Sequence, residues 1–204
     1  KPSDAEIVKA RQWATDLSPA QFKKITGLDT YPDYLQKDII RDSVLHVYSN
    51  GETVFKLRDV FGKSSVIWNF EAPPGTQDTH FSLFRGTKSD LVIRQDATTE
   101  YKPVLFVEPH GRIDREQWEA DLADAMKEIH QEWPDVSFGY TDDRFRIDIP
   151  EKYKVGHEAH FTEVTKKFLS YLKEGSLPQW EKDFMLTKYY ITTQAYEKSL
   201  QDIQ

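Results

Sequence analysis

Between Ser43 and Pro109 the chain alternates apolar and polar residues in short runs, and turn-forming residues interrupt the runs. A two-residue period sends successive side chains to opposite sides of an extended backbone, and no other feature of the chain restricts its fold as much. The runs cover residues 43–49, 52–58, 64–71, 79–85, 90–95 and 101–108. Asn50-Gly51 separates the first two and predicts a tight hairpin, because both residues accept positive φ. Ala72-Pro73-Pro74-Gly75 and Gly86-Thr87-Lys88 mark later turns, and Pro103 fits an edge strand or a strand start. About six strands joined by short turns predict an antiparallel meander.

Helical spacing dominates on either side. Ser3 or Asp4 can cap a first helix that carries Ile7, Ala10 and Trp13-Ala14 on one face. Ser18-Pro19 opens a second, short helix with Phe22 and Ile25 together and Gly27 as its stop. Tyr31-Pro32-Asp33-Tyr34 reads as a loop. Asp114 caps a third helix, with Trp118, Leu122, Ala125-Met126 and Ile129 as its stripe, which ends at Trp133 before Pro134. Phe145-Arg146-Ile147-Asp148-Ile149 alternates as one further strand. A helix over 157–173 places Phe161, Val164, Phe168, Leu169 and Leu172 inward, and Leu177-Pro178 starts a last helix bearing Trp180 and Phe184. Trp118, Trp133, Phe168 and Trp180 are expected in the core. The expected class is α+β: an open, mostly antiparallel sheet of about six to seven strands with helices packed on one face. Without repeat or linker, the 204 residues read as a single domain.

Composition narrows the function. Five Trp, ten Tyr and twelve Phe supply a core of ample size, which argues against disorder. Net charge is −7 with Lys and Arg scattered, so the clustered basic surface that nucleic acid needs is missing. The absence of Cys removes disulfides, thiolate catalysis and Cys-based metal sites, and suits a cytoplasmic or a periplasmic location equally. No apolar run has the length of a membrane span. The start, Lys1-Pro2-Ser3-Asp4, is polar, shows no signal peptide and lacks Met, which suggests a processed or truncated chain.

Strand parity defines a candidate site. Leu45, Val47, Phe55, Leu57, Val66, Trp68, Phe70, Phe81, Leu83, Leu91 and Ile93 form one apolar face. The other face mixes His46, Tyr48, Arg58, Asn69, Glu71, His80 and Arg94 with Ile67, Phe84 and Val92. Such a face is either a solvated sheet surface or a surface built to meet another. His80 is the foremost residue, mid-strand beside Asn69, Glu71 and Arg94 on the expected pairing, and these four offer the donors and acceptors a polyol requires. His157-Glu158-Ala159-His160 has the wrong spacing for a zinc helix, which places its His four apart, and no third ligand is evident. No metal is expected there, and His157 and His160 remain candidates for the substrate side. No G-x-S-x-G occurs, and no two of the 34 acidic residues stand out as a hydrolase pair.

Four strings carry a resemblance: Ser43-Val44-Leu45-His46-Val47-Tyr48-Ser49-Asn50-Gly51; Ser65-Val66-Ile67-Trp68-Asn69-Phe70-Glu71-Ala72-Pro73; Asp78-Thr79-His80-Phe81-Ser82-Leu83-Phe84-Arg85-Gly86-Thr87-Lys88; and Leu91-Val92-Ile93-Arg94-Gln95. Val155-Gly156-His157-Glu158-Ala159-His160-Phe161 and Leu177-Pro178-Gln179-Trp180 extend it. Over nearly its whole length the chain resembles the C-terminal domain of a bacterial oxidoreductase family of the glucose–fructose oxidoreductase and inositol dehydrogenase type. The resemblance implies a two-domain parent. Its N-terminal Rossmann domain would bind NAD or NADP, and its C-terminal open sheet would line a sugar or polyol site and form a homo-oligomer interface. The G-x-G-x-x-G loop of the family is missing here, as is its Glu-Lys-Pro motif; Lys102-Pro103 follows Tyr101 in a strand and does not replace it. The family's Asp/His pair would lie upstream of Lys1. No cofactor is therefore expected on this chain alone, and no catalysis, since hydride transfer belongs to the cofactor. The alternatives are a stand-alone carbohydrate-binding or protein-interaction module on the same face, and a hydrolase with a carboxylate pair.

Overall fold

The computed structural model describes residues 1–201. The fold is α+β with two antiparallel sheets, and the chain divides into two compact units, Lys1–Glu71 together with the segment from Leu169 onward, and Ala72–Phe168. The strands thus form sheets of four and five where one continuous sheet was expected.

In the first unit β1 (Ala5–Leu17), β2 (Ile39–Ile40), β3 (Val44–Leu57) and β4 (Val60–Val66) form the sheet. β3 is its axis: β1 pairs along one edge, while β2 and β4 share the other. The expected first helix is a strand. Its apolar residues sit at helical intervals, but β1 pairs with β3 along almost its whole length, and a bulge near Val8 disturbs the alternation that would have revealed it.

The expected hairpin at Asn50-Gly51 is also absent. β3 runs straight through these residues, with Gly51 outside the positive-φ region, and turns at Arg58, whose φ is 54°. Asn50 is 5% exposed. Its Nδ2 donates to the Trp13 carbonyl (3.2 Å) and Thr15 Oγ1 (2.9 Å), and its Oδ1 accepts from the Trp68 N–H (2.6 Å). The register between β1 and β3 shifts next to it, from Trp13 opposite Asn50 to Thr15 opposite Val47. The extra residue on β3 reverses its parity, so Leu45 and Val47 no longer share a face with Phe55 and Leu57.

Leu17, Phe22 and Leu45 form the first core, flanked by Tyr31, Leu35, Ile39, Val47, Trp68 and Phe70. Phe22 comes from α1 (Pro19–Thr26), which begins in the expected Ser18 capping box with Gln21 and ends at Gly27 in the left-handed region. The C-terminal helix of this unit, α4 (Gln179–Gln201), lies along β1. Its buried residues, Thr187, Ala195 and Ser199, are small, as is Ala10 on β1, which lets helix and strand approach closely. Alternation turns Ala10 away from Leu17, so α1 and α4 take opposite faces of this sheet.

In the second unit β5 (His80–Arg85), β6 (Ser89–Gln95), β7 (Val104–Pro109), β8 (Ser137–Thr141) and β9 (Arg144–Asp148) pair in the order β5-β6-β7-β9-β8. α2 (Arg115–Glu132), capped by Asp114 as expected, covers one face. The core beneath it holds Val107, Met126, Val136, Phe145 and Ile147, with Trp118, Phe138 and Tyr140 around the fully buried Phe145 ring. β8 escaped the sequence reading because Asp142-Asp143 makes its turn with both residues at positive φ, where Asn-Gly is the familiar signal.

α3 (His157–Glu174) forms where expected but has no buried residue. Phe161, Val164, Phe168, Leu169 and Leu172 are exposed, contrary to the inward placement, and so are Trp180 and Trp133. Trp118 alone of the four tryptophan and phenylalanine positions assigned to the core packs against it.

Candidate functional site

The six predicted site residues fall in both units, two in the first and four in the second. Asn69 and Glu71 follow β4 in the first unit, and both are exposed. Glu71 pairs with Lys24 at 2.5 Å, and its N–H donates to the Asn69 carbonyl at 2.8 Å. His157 and His160 lie in the first turn of α3, each set edge-on against Phe161. His80 and Arg94 sit on neighbouring strands of the second sheet, but Arg94 stands opposite Phe81 while His80 stands opposite Gln95. The two side chains therefore leave opposite faces. The register sets β6 one residue out of step with the expected parity, so Val92, expected on the mixed face with His80, lies with Leu83 and is buried.

What the fold does assemble around His80 is a half-covered sheet surface. On the α2 side, His80, Ser82 and Phe84 of β5 lie beside Gln95, Ile93 and Leu91 of β6. The core under α2 draws on β7, β9 and β8, and the β5–β6 half stays open: Phe84 is 66% and Leu91 45% exposed. The His80 Nε2 and Ser82 Oγ are 2.7 Å apart, which fixes the imidazole edge toward the strand. A surface with a histidine, a hydroxyl, an amide and two open apolar side chains can hold a polar ligand or meet a second protein surface.

Charged groups also meet across the strands of both sheets. On the first sheet His46 Nδ1 meets Asp16 Oδ1 at 2.7 Å. Arg11 and Lys63 both reach Glu52, at 3.4 and 2.8 Å. The Lys63 hydrogen bond first, and Arg11 after it, hold the Glu52 carboxyl below the usual glutamate range against the opposing cost of desolvation. These pairings join residues thirty or more positions apart or across β3–β4, and only the register brings them together. On the second sheet Arg94 and Arg144 share Glu108. Two hollows of about 300 and 340 Å³, the first lined by Glu6, Tyr190 and Glu197 and the second by Arg112, Tyr140 and Asp143, include none of the six residues. Among the described residues no group of three His, Asp or Glu could hold a metal ion, and no helix is long and apolar enough to cross a membrane.

The model of a protein family described as "Putative oxidoreductase C terminal domain" matches residues 1–200. The chain belongs to this family. Among solved structures, the chain is similar to the crystal structure of a "putative oxidoreductase" from Parabacteroides merdae, with 48% identity and a TM-score of 0.92 over 98% of its own length. It covers 45% of that protein, so it spans less than half of this relative. No curated protein matches the chain. The family description makes the chain a C-terminal domain and places it beside a further domain.

Proposed function

We propose that this oxidoreductase C-terminal domain lines the substrate site and supplies an oligomer surface in an NAD(P)-dependent enzyme for sugars or polyols, and that a Rossmann domain outside the chain holds the nucleotide. The observation that carries this reading is the open β5–β6 face, where His80, Ser82 and Gln95 stand beside exposed Phe84 and Leu91. A polyol offers hydroxyls that both donate and accept, and imidazole, hydroxyl and amide groups answer both needs. The apolar side chains give a contact surface from which water is excluded when a second surface arrives. Asn69, Glu71, Arg94, His157 and His160 are left with secondary parts, because Glu71 has Lys24 and Arg94 leaves the other face. The chain's own contribution is then to bind and orient substrate, while hydride transfer is the nucleotide's chemistry.

His80→Ala in the full-length enzyme tests this. A lost substrate hydrogen bond worth about 1–3 kcal/mol lowers kcat/KM on a polyol roughly 5- to 150-fold, with nucleotide KM unchanged. An unaltered kcat/KM removes His80 from the site. Phe84→Glu is expected to lower the oligomeric state in sedimentation, and an unchanged sedimentation coefficient contradicts the interface role.

A further inference from the structure

We propose that Arg94 and Arg144 form a binding site for a small oxyanion on the face of the second sheet turned away from α2. The site rests on its own geometry and goes beyond the reading of the His80 face. β6 presents Arg94 opposite Phe81, and β9 presents Arg144 beside Glu108 of β7. The Arg94 guanidinium lies over the Phe81 ring at 5.3 Å, and that of Arg144 over the Phe106 ring at 4.1 Å. Both cations then meet at a single atom. Glu108 Oε1 is 3.5 Å from Arg94 Nη2 and 3.3 Å from Arg144 Nη1.

One carboxylate thus answers two guanidinium groups. Asp96 also senses Arg94, but its Oδ1 already accepts from the Thr98 N–H at 2.8 Å and Oγ1 at 2.6 Å, and Asp90, opposite Glu108 on the same face, lies 2.9 Å from His110 Nε2. Arg146 and Asp148, farther along the same face, pair with each other at 3.0 Å and leave the balance unchanged. A guanidinium has five N–H donors; Arg144 spends one on Glu108, and Arg94 meets the same oxygen only as an ion pair. Their Nε atoms are the buried side-chain atoms without a hydrogen-bond partner among the described residues. The side chains keep 33% and 23% of their surface, so solvent reaches the pair.

Cation–π contact with Phe81 and Phe106 restrains both guanidinium groups before any ligand arrives, which lowers the ordering cost of binding. Two fixed forks with one shared acceptor suit a carboxylate or a phosphate group, which accepts several N–H bonds at once. Glu108 occupies the position of such a group in part and competes with it.

The test titrates the 204-residue chain with inorganic phosphate and, separately, with glucuronate, at constant ionic strength in chloride, and follows the arginine Nε–Hε resonances. Arg94 and Arg144 are expected to shift saturably with at least one anion. A response to phosphate alone assigns a phosphate-bearing ligand, and a response to glucuronate alone a carboxylate. Arg94→Gln and Arg144→Gln are each expected to weaken binding at least about tenfold, the loss of one charge-assisted pair. Glu108→Gln removes the competitor and is expected to tighten it. A pair that only braces the sheet would not gain affinity from losing its carboxylate. Absence of a saturable shift, or weaker binding in Glu108→Gln, overturns the site. Should Arg144→Gln not fold, Arg94→Gln and Glu108→Gln decide it.

Discussion

Asn50 is buried in mid-strand, and its amide serves a carbonyl, a hydroxyl and an N–H that pairing between β1, β3 and the segment after β4 leaves over. Asn50→Ala strands these groups and is expected to cost about 2–3 kcal/mol in chemical denaturation. Asn50→Asp is expected to cost at least as much, since its carboxylate would face the Trp13 carbonyl. Stability within 0.5 kcal/mol of the parent, roughly the scatter of neutral surface changes, would contradict the role. Glycines give a second residue-scale contrast. A Cβ at Gly86 would stand 2.6 Å from the Ser89 carbonyl oxygen in the β5–β6 turn, whereas one at Gly139 meets nothing within 4 Å. Gly86→Ala is therefore expected to lower Tm by an amount equivalent to about 1–3 kcal/mol, and Gly139→Ala to leave it nearly unchanged. Equal effects at the two positions would show that the turn yields.

At the scale of elements, α1 depends on its first turn. Ser18 Oγ accepts from the Gln21 N–H at 3.3 Å and Gln21 Oε1 from the Ser18 N–H at 2.8 Å. Ser18→Ala is expected to remove about 1 kcal/mol, read from the denaturation midpoint. The β1–β3–β4 ladder carries a pH dependence through Glu52. Its pKa is lowered on folding, so its contribution is complete above the ordinary glutamate pKa of about 4.3 and is lost as pH falls through the lower folded value. Glu52→Gln is expected to flatten the stability profile in that acidic range and not above it. Elements announced by local chemistry were legible in the sequence: α1 by Ser18-Pro19 and Gly27, α2 by Asp114 and its stripe, and β5 and β6 by clean alternation. β1 was not, because its bulge broke the period. Asn50-Gly51 misled, because a local turn signal lost to long-range bonds that no window of sequence contains.

For the whole molecule, the α+β class and antiparallel pairing followed from alternation, and the family from its long strings; the family match over residues 1–200 bears the latter out. The division into two sheets did not follow. Ala72-Pro73-Pro74-Gly75 read as a turn within one meander, and it lies where the second unit begins. The candidate site was legible only as a type of surface. His80 and Phe84 do share an open face, but the β5–β6 alignment decides that Gln95 and not Arg94 joins them. On the proposed function, nucleotide binding lies outside these 204 residues. Calorimetric titration of NADH and NADPH into this chain, and into a full-length enzyme containing it, tests that most directly. Saturable binding by the full-length enzyme alone is predicted. Saturable binding of either nucleotide by the isolated chain would contradict it.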